Sequence, residues 1–260
     1  MQQINGVRPQ LNCNVCNTGD IRINGLPGPY TMVLIDGMPI VSSLSTVYGL
    51  SGIPNALVER IEVVKGPASS LYGSEAVGGL INIITKKPVG TNTIIAELMG
   101  TSWGEINADI GFTNKVGKNS SVLTGLNYFG FNNREDKNGD GFTDMPLQNR
   151  FSAFQKWNFQ RKQARVATIA GRYFYENRWG GEMNWNELYR GTDIVYGESI
   201  YTRRIEFIGN YQLPLKEKIM FSFSYNRHQQ DSRYGTSSYI ADQHIGFAQY
   251  GIKLFESTIF

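Results

Sequence analysis

The residues best equipped for chemistry stand together in DKNGDGFTD, residues 136–144. Asp136, Asn138, Asp140 and Asp144 fall at positions 1, 3, 5 and 9 of a calcium-loop pattern, with Gly141 at position 6 and the Phe142 carbonyl at position 7. Three carboxylates this close repel one another, and Ca2+, a hard ion tolerant of irregular oxygen shells, is the natural neutraliser. The bidentate Glu of position 12 is missing, since Leu147 stands there, so the segment by itself predicts weak affinity. The bland alternative is a solvated Asn/Asp/Gly turn between strands.

Other reactive groups do not assemble into a catalytic set. Cys13 and Cys16 form a C-x-x-C pair, which suits a redox dithiol, half a zinc site or a local disulfide. No second such pair exists to complete a zinc site, and His228 and His244 lie far away in sequence. Glu59, Arg60 and Glu62, together with Lys65 and Glu75, have no nucleophile or histidine at a workable spacing, and ion pairing from this unit to the barrel-like later part of the chain is their expected role. The chain does not read as an enzyme.

The elements that must position these residues change character along the chain. Thr31 to Lys87 holds glycine-punctuated apolar runs, VLIDGMPI, ERIEVVKG and LINIITK, read as strands of a compact unit, with Pro54 opening a short turn. Beyond a polar stretch at Pro88 the pattern becomes strict alternation. Ile106, Ala108, Ile110 and Phe112 share one face, with Asn107, Asp109, Gly111 and Thr113 opposite. Ile219, Phe221, Phe223 and Tyr225 repeat it against Met220, Ser222, Ser224 and Asn226. RIEFIGNYQL is noisier, because Ile208 falls opposite Ile205, Phe207 and Tyr211.

Eight such strands are expected, with connectors that sort by length. Residues 115–118, 161–163 and 213–216 are short, whereas 133–146, 179–196 and 230–241 are long. Short turns on one side and long loops on the other are the habit of an outer-membrane barrel. At 260 residues, 41% hydrophobic, the chain has no run of about 18 apolar residues for a membrane helix, and barrel strands need none. A net charge of +3, with no basic block among aromatics, argues against nucleic acid as a partner.

The ordered set IDG, IP, VERIEVVKGP, SLYGSEAVGG and INIITK resembles the plug domain of TonB-dependent outer-membrane receptors, over residues 4–88. The resemblance implies a small α+β plug (residues 1–88) followed by an all-β transmembrane barrel of about 22 strands, of which residues 89–260 supply the first eight. An eight-stranded barrel has room only for its own side chains, so the expectation is a fragment. The export signal and TonB box would lie upstream and the remaining strands downstream.

For function, the resemblance implies capture and import of a scarce metal chelate across the outer membrane of a Gram-negative bacterium. The TonB-ExbB-ExbD complex would drive transport, with a surface lipoprotein as a possible partner. The calcium-type loop resembles those of cobalamin receptors, which makes cobalamin the expected ligand. Haem, a ferric siderophore, or a non-transporting binding or signalling barrel are the alternatives. The apical plug loop would bring Ser43, Ser45, Thr46 and Tyr48 to the ligand, and Arg22 would tie the plug to the wall. Residues Trp179, Trp185, Tyr189 and Arg190 of the second long loop are candidate contacts for a ring-rich ligand, or else girdle aromatics. A periplasmic setting favours a Cys13–Cys16 disulfide.

Overall fold

The protein is described by a computed structural model that covers residues 4–11, 19–39, 52–67, 72–73, 76–87 and 93–253. Cys13, Cys16, Ser43, Ser45, Thr46, Tyr48, Glu75 and the 88/89 boundary lie outside the described residues. Strands β1 (Val7–Leu11) and β2 (Gly19–Ile23) pair antiparallel. Strands β3 (Thr31–Ile35), β4 (Met38–Pro39), β5 (Val58–Lys65) and β6 (Gly79–Thr85) form a mixed sheet in the order β4-β3-β6-β5, with β3 and β6 parallel.

Two readings of this region need correction. VLIDGMPI is a hairpin rather than one strand, because Asp36 and Gly37 both take left-handed backbone (φ 50° and 80°) and turn the chain between β3 and β4. Asp36 tolerates that conformation because a short polar side chain can bond locally. ERIEVVKG is a largely exposed strand at the sheet margin, and Arg60 pairs with Glu59 and Glu62 of its own strand instead of reaching the barrel. Lys65 likewise stays within the first unit, on the Asn5 carbonyl.

The second unit is one antiparallel sheet in sequence order. It runs through β7 (Thr93–Gly100), β8 (Ile106–Val116), β9 (Ser120–Phe131), β10 (Leu147–Phe159), β11 (Ala167–Gly181), β12 (Gly197–Gln212), β13 (Lys218–Tyr234) and β14 (Ser237–Lys253). The alternation sorts as expected, with Ile110, Phe207 and Phe221 outward and 44–46% exposed, while Asp109, Glu206 and Ser222 turn inward and are buried. No helix among the described residues is long and apolar enough to cross a membrane.

One connector departs from expectation. Residues 230–241 are not a long loop, for β13 runs on to Tyr234, β14 starts at Ser237, and Gly235 (φ 54°) makes a tight turn. The sequence hides this because the strands' outer ends are polar on both faces. His228 and His244 therefore sit within strands, in register with Gln243 and Arg227, and on opposite faces.

The first unit seats on the inward face of this wall. Val33, Ile35, Met38 and Leu57 form a single buried cluster with Leu123, Phe154, Ala170 and Ile208 of β9 to β12. The apparent noise at Ile208 is thus an apolar landing patch on an otherwise polar face. Close approach depends on missing side chains. A Cβ on Gly125 would overlap Leu57, and one on Gly111 would stand 3.0 Å from the Ala56 Cβ.

Gly125→Val should therefore push the inner unit off the wall, an overpacking cost of about 1–3 kcal/mol. The expected result in the full-length protein is a lowered melting temperature and faster proteolysis of residues 4–87. Adding Leu57→Ala should restore much of the loss by making room. Unchanged melting in Gly125→Val would contradict this packing.

Candidate functional site

Polar groups line the inward face around the apolar patch. Toward the long-loop end, Ser152 bonds the Gly52 carbonyl, and Phe174 packs so closely on Gly52 that a Cβ there would stand 2.7 Å from its ring. Gly52 also takes a left-handed φ of 75°, so backbone and contact both require glycine. On β13, Ser224 donates to the Pro39 carbonyl at 3.2 Å.

At the short-turn end lies an ion pair between the two units. Lys156 Nζ stands 2.7 Å from Asp36 Oδ2 and 2.8 Å from Thr85 Oγ1. Asp36 in turn accepts from Thr85 N at 2.9 Å and from Thr85 Oγ1 at 2.8 Å. The side chains are only 9% and 17% exposed, so water screens this pair little. The hairpin turn that sequence reading missed is thus what delivers Asp36 to the wall. Gly37 N donates to Asn82 Oδ1, and Tyr72 donates to the Gly37 carbonyl at 3.3 Å, its phenol pushed up by burial.

Across the wall runs a buried charged ladder. Arg172 meets Glu206 at 2.7 Å, Arg204 approaches Glu206 at 3.5 Å, and Glu176 holds Gln148 and Arg178. Arg204 Nε donates to His228 Nδ1 at 3.3 Å, and His228 Nε2 lies 3.3 Å from Gln230 Oε1. With Nδ1 accepting from a guanidinium, the ring is the neutral Nε2–H tautomer. Both nitrogens of His228 are engaged and His244 is on the other face, so the two do not form an iron-ligating pair.

The aromatic loop between β11 and β12 folds over the outward face. Trp179 and Trp185 pack with centroids 4.7 Å apart and ring planes tilted by 32°, and Trp185, only 2% exposed, covers Gly197. Arg190 bonds Ser199 and Asp231 and lies 4.2 Å over the Tyr201 ring, all outward residues. Tyr189 N closes a turn onto the Asn186 carbonyl. Trp179 and Trp185 pack together and Arg190 reaches β12 and β13, all on the face away from the inner wall, because odd-numbered positions of β11 and β12 face out. Tyr196 pins the loop's end through Glu198 at 2.7 Å, and that bond pushes its phenol up to about 12.

In the Asp136–Asp144 loop the carboxylates are turned onto backbone. Asp136 accepts from the N–H groups of Gly139, Asp140 and Gly141, Asp140 from Phe142 and Asp144 from Lys137. Among the described residues no three Asp, Glu, His or Cys side chains converge as a ready metal site. Asn138, Asp140, Phe142 and Asp144 do share a recess of about 330 Å³ with Glu198.

Comparison with known proteins places these features. The family model of the TonB-dependent Receptor Plug Domain matches residues 1–80. The ferric enterobactin receptor PirA of Pseudomonas aeruginosa is 39% identical over 100 residues, 33% of this chain and 14% of that protein. The ferrienterobactin receptor of Escherichia coli is 42% identical over 84 residues, 28% of this chain and 11% of that protein. The chain thus aligns with only a small part of the relatives' length. Among solved structures, the siderophore receptor PiuA from Acinetobacter baumannii superposes with a TM-score of 0.58 at 16% identity, covering 87% of this chain and 33% of that one. The pyoverdine outer membrane receptor FpvA from Pseudomonas aeruginosa, bound to pyoverdine, gives 0.60 at 16% identity over 94% of this chain and 38% of that one. At such identity these two matches establish the fold alone.

If the Lys156–Asp36 pair couples the two units, Lys156→Met and Asp36→Asn should each destabilise the full-length protein. The double variant should then lose less than the sum, with a coupling of about 1–3 kcal/mol in a double-mutant melting cycle. Strict additivity would mean that the contact carries no energy.

Proposed function

The chain belongs to the TonB-dependent receptors of the Gram-negative outer membrane, and from that premise we propose that it is part of an importer of a ferric siderophore. The observation that carries the ligand class is the 39–42% identity, over 84 to 100 aligned residues, to proteins named as ferric enterobactin receptors. Cobalamin, expected from the calcium-type loop, gives way on this ground, since the relatives named here are siderophore receptors. No catalytic constellation is needed. The mechanism is binding on the outer side, followed by a shift of the plug against the wall and energy from the TonB-ExbB-ExbD complex.

The seam described above gives that shift a physical form. An apolar cluster and a largely buried ion pair hold the plug on β9 to β12, contacts that mechanical pulling from the inner side would have to break in turn. The outward-facing Trp179, Trp185 and Arg190 act in this reading as the core of an outer loop rather than as ligand contacts. Iron uptake by a strain whose only catecholate receptor is the full-length protein tests the reading. Ferric enterobactin uptake that disappears without TonB is expected, with no uptake of cyanocobalamin. The reverse pattern would overturn it.

Calcium at the Asp136–Asp144 loop is a separate proposal, supported by the oxygen-rich recess that Asn138, Asp140, Asp144 and Glu198 share. Binding would require the carboxylates to exchange backbone N–H partners for the ion, so affinity should be weak. Excess chelator should speed proteolysis within residues 133–146 of the full-length receptor, and millimolar Ca2+ should slow it. Cleavage indifferent to both would remove the ion from the account.

A further inference from the structure

Beneath the Lys156–Asp36 pair lies a cavity of about 530 Å³ between plug and wall. Asp36, Arg60, Asn82 and Lys87 line it from the plug, and Lys156, Asn158, Thr168 and Asn210 from the wall. Phe159 and Val166, which flank the turn at 160–166, also border it, so it lies at the short-turn end of the sheet. That end of an outer-membrane barrel faces the periplasm.

The lining is unbalanced toward donors. Three cationic side chains, Arg60, Lys87 and Lys156, meet a single carboxylate, Asp36. Lys156 and Asp36 neutralise each other, and Arg60 is occupied by Glu59 and Glu62. Lys87 forms no ion pair among the described residues, and Asn158 Nδ2 is buried without an acceptor there. A buried donor left unpaired is costly, so a site that keeps one is suited to meet an acceptor. The one carboxylate is held in place by Thr85 and Lys156, so the charge that faces the pocket is net positive.

We propose that this cavity is a second, periplasm-side site for an oxyanion-rich ligand, the ferric catecholate on its way past the plug, with the Asp36–Lys156 pair as its roof. The proposal rests on the siderophore reading above for the ligand's identity. While the pair is closed, Asp36 screens Lys156 and the pocket offers Lys87 and Asn158. When the plug turn leaves the wall, Lys156 loses its partner and becomes a third donor facing the same space. Displacement of the plug thus raises the anion affinity of the route that the displacement opens. Asp36 accordingly opposes anion binding, and Lys87 favours it.

The test uses the full-length receptor in detergent, in a Cys13→Ser/Cys16→Ser background with a fluorophore on Thr168→Cys. Ferric tris-catecholate is the probe, because its iron quenches a nearby label. Saturable quenching is expected, weakened about three- to fivefold by Lys87→Gln and strengthened by a similar factor in Asp36→Asn, the size of one modest ion-pair term. Asn keeps the left-handed turn at position 36, and since a general loss of stability would weaken quenching, the strengthening expected of Asp36→Asn separates charge from fold. An unquenched label, or both variants moving in the same direction, would overturn the proposal. Ferric enterobactin that quenches tryptophan but never the Thr168 label would sink the cavity and spare the siderophore reading. A label quenched by tris-catecholate in a receptor that binds no siderophore would do the opposite.

Discussion

The structure depends on one contact, the seating of a small mixed sheet on the inner face of a large antiparallel wall. That face is polar nearly everywhere, as the wall's alternation demands. It makes an exception where Leu123, Phe154, Ala170 and Ile208 meet Val33, Ile35, Met38 and Leu57. Glycines at 111 and 125 let the two surfaces close to van der Waals distance. Burial of apolar area supplies the adhesion, and the surrounding hydrogen bonds fix its register.

In the proposed role as part of an importer, the plug must hold firmly yet release on demand, and the seam combines two kinds of contact that suit this. Apolar contact is non-directional and tolerates sliding, whereas the Lys156–Asp36 pair has a defined geometry and breaks as a unit. The Arg172, Arg204, Glu176 and Glu206 ladder ties β11 to β12 by buried ion pairs, and Gln148 and His228 extend it to β10 and β13. The aromatic loop between β11 and β12 packs outward. Its anchors, Ser199, Tyr201 and Asp231, belong to the wall's other face, and it stays clear of the seam.

Much of this was legible from residues alone. Period-two alternation named the outward and inward faces of β8 and β13 residue by residue, because a strand's side chains can only alternate. The plug's ordered motifs carried the family. Where the reading failed, the cause was an interaction between distant segments. Nothing local marks Asp36 as the partner of Lys156, 120 positions on. The polar outer ends of β13 and β14 look like a loop because both faces there are polar. Trp179, Trp185 and Arg190 read as ligand contacts or as girdle aromatics because composition cannot say on which side of a wall a loop folds.

The sequence by itself determined the class of the protein, the strand count up to one turn, and the sidedness of regular strands. The class follows from the resemblance of the ordered motifs, and the strands and their sidedness from local periodicity, which the backbone enforces wherever the strand sits. Tertiary structure alone decided which plug turn meets which strand, that Ile208 is a landing patch rather than an irregularity, and that Lys156, Lys87 and Asn158 border one cavity. Such facts depend on the register between two separately formed sheets, and register is fixed by shape and charge complementarity that no single segment contains.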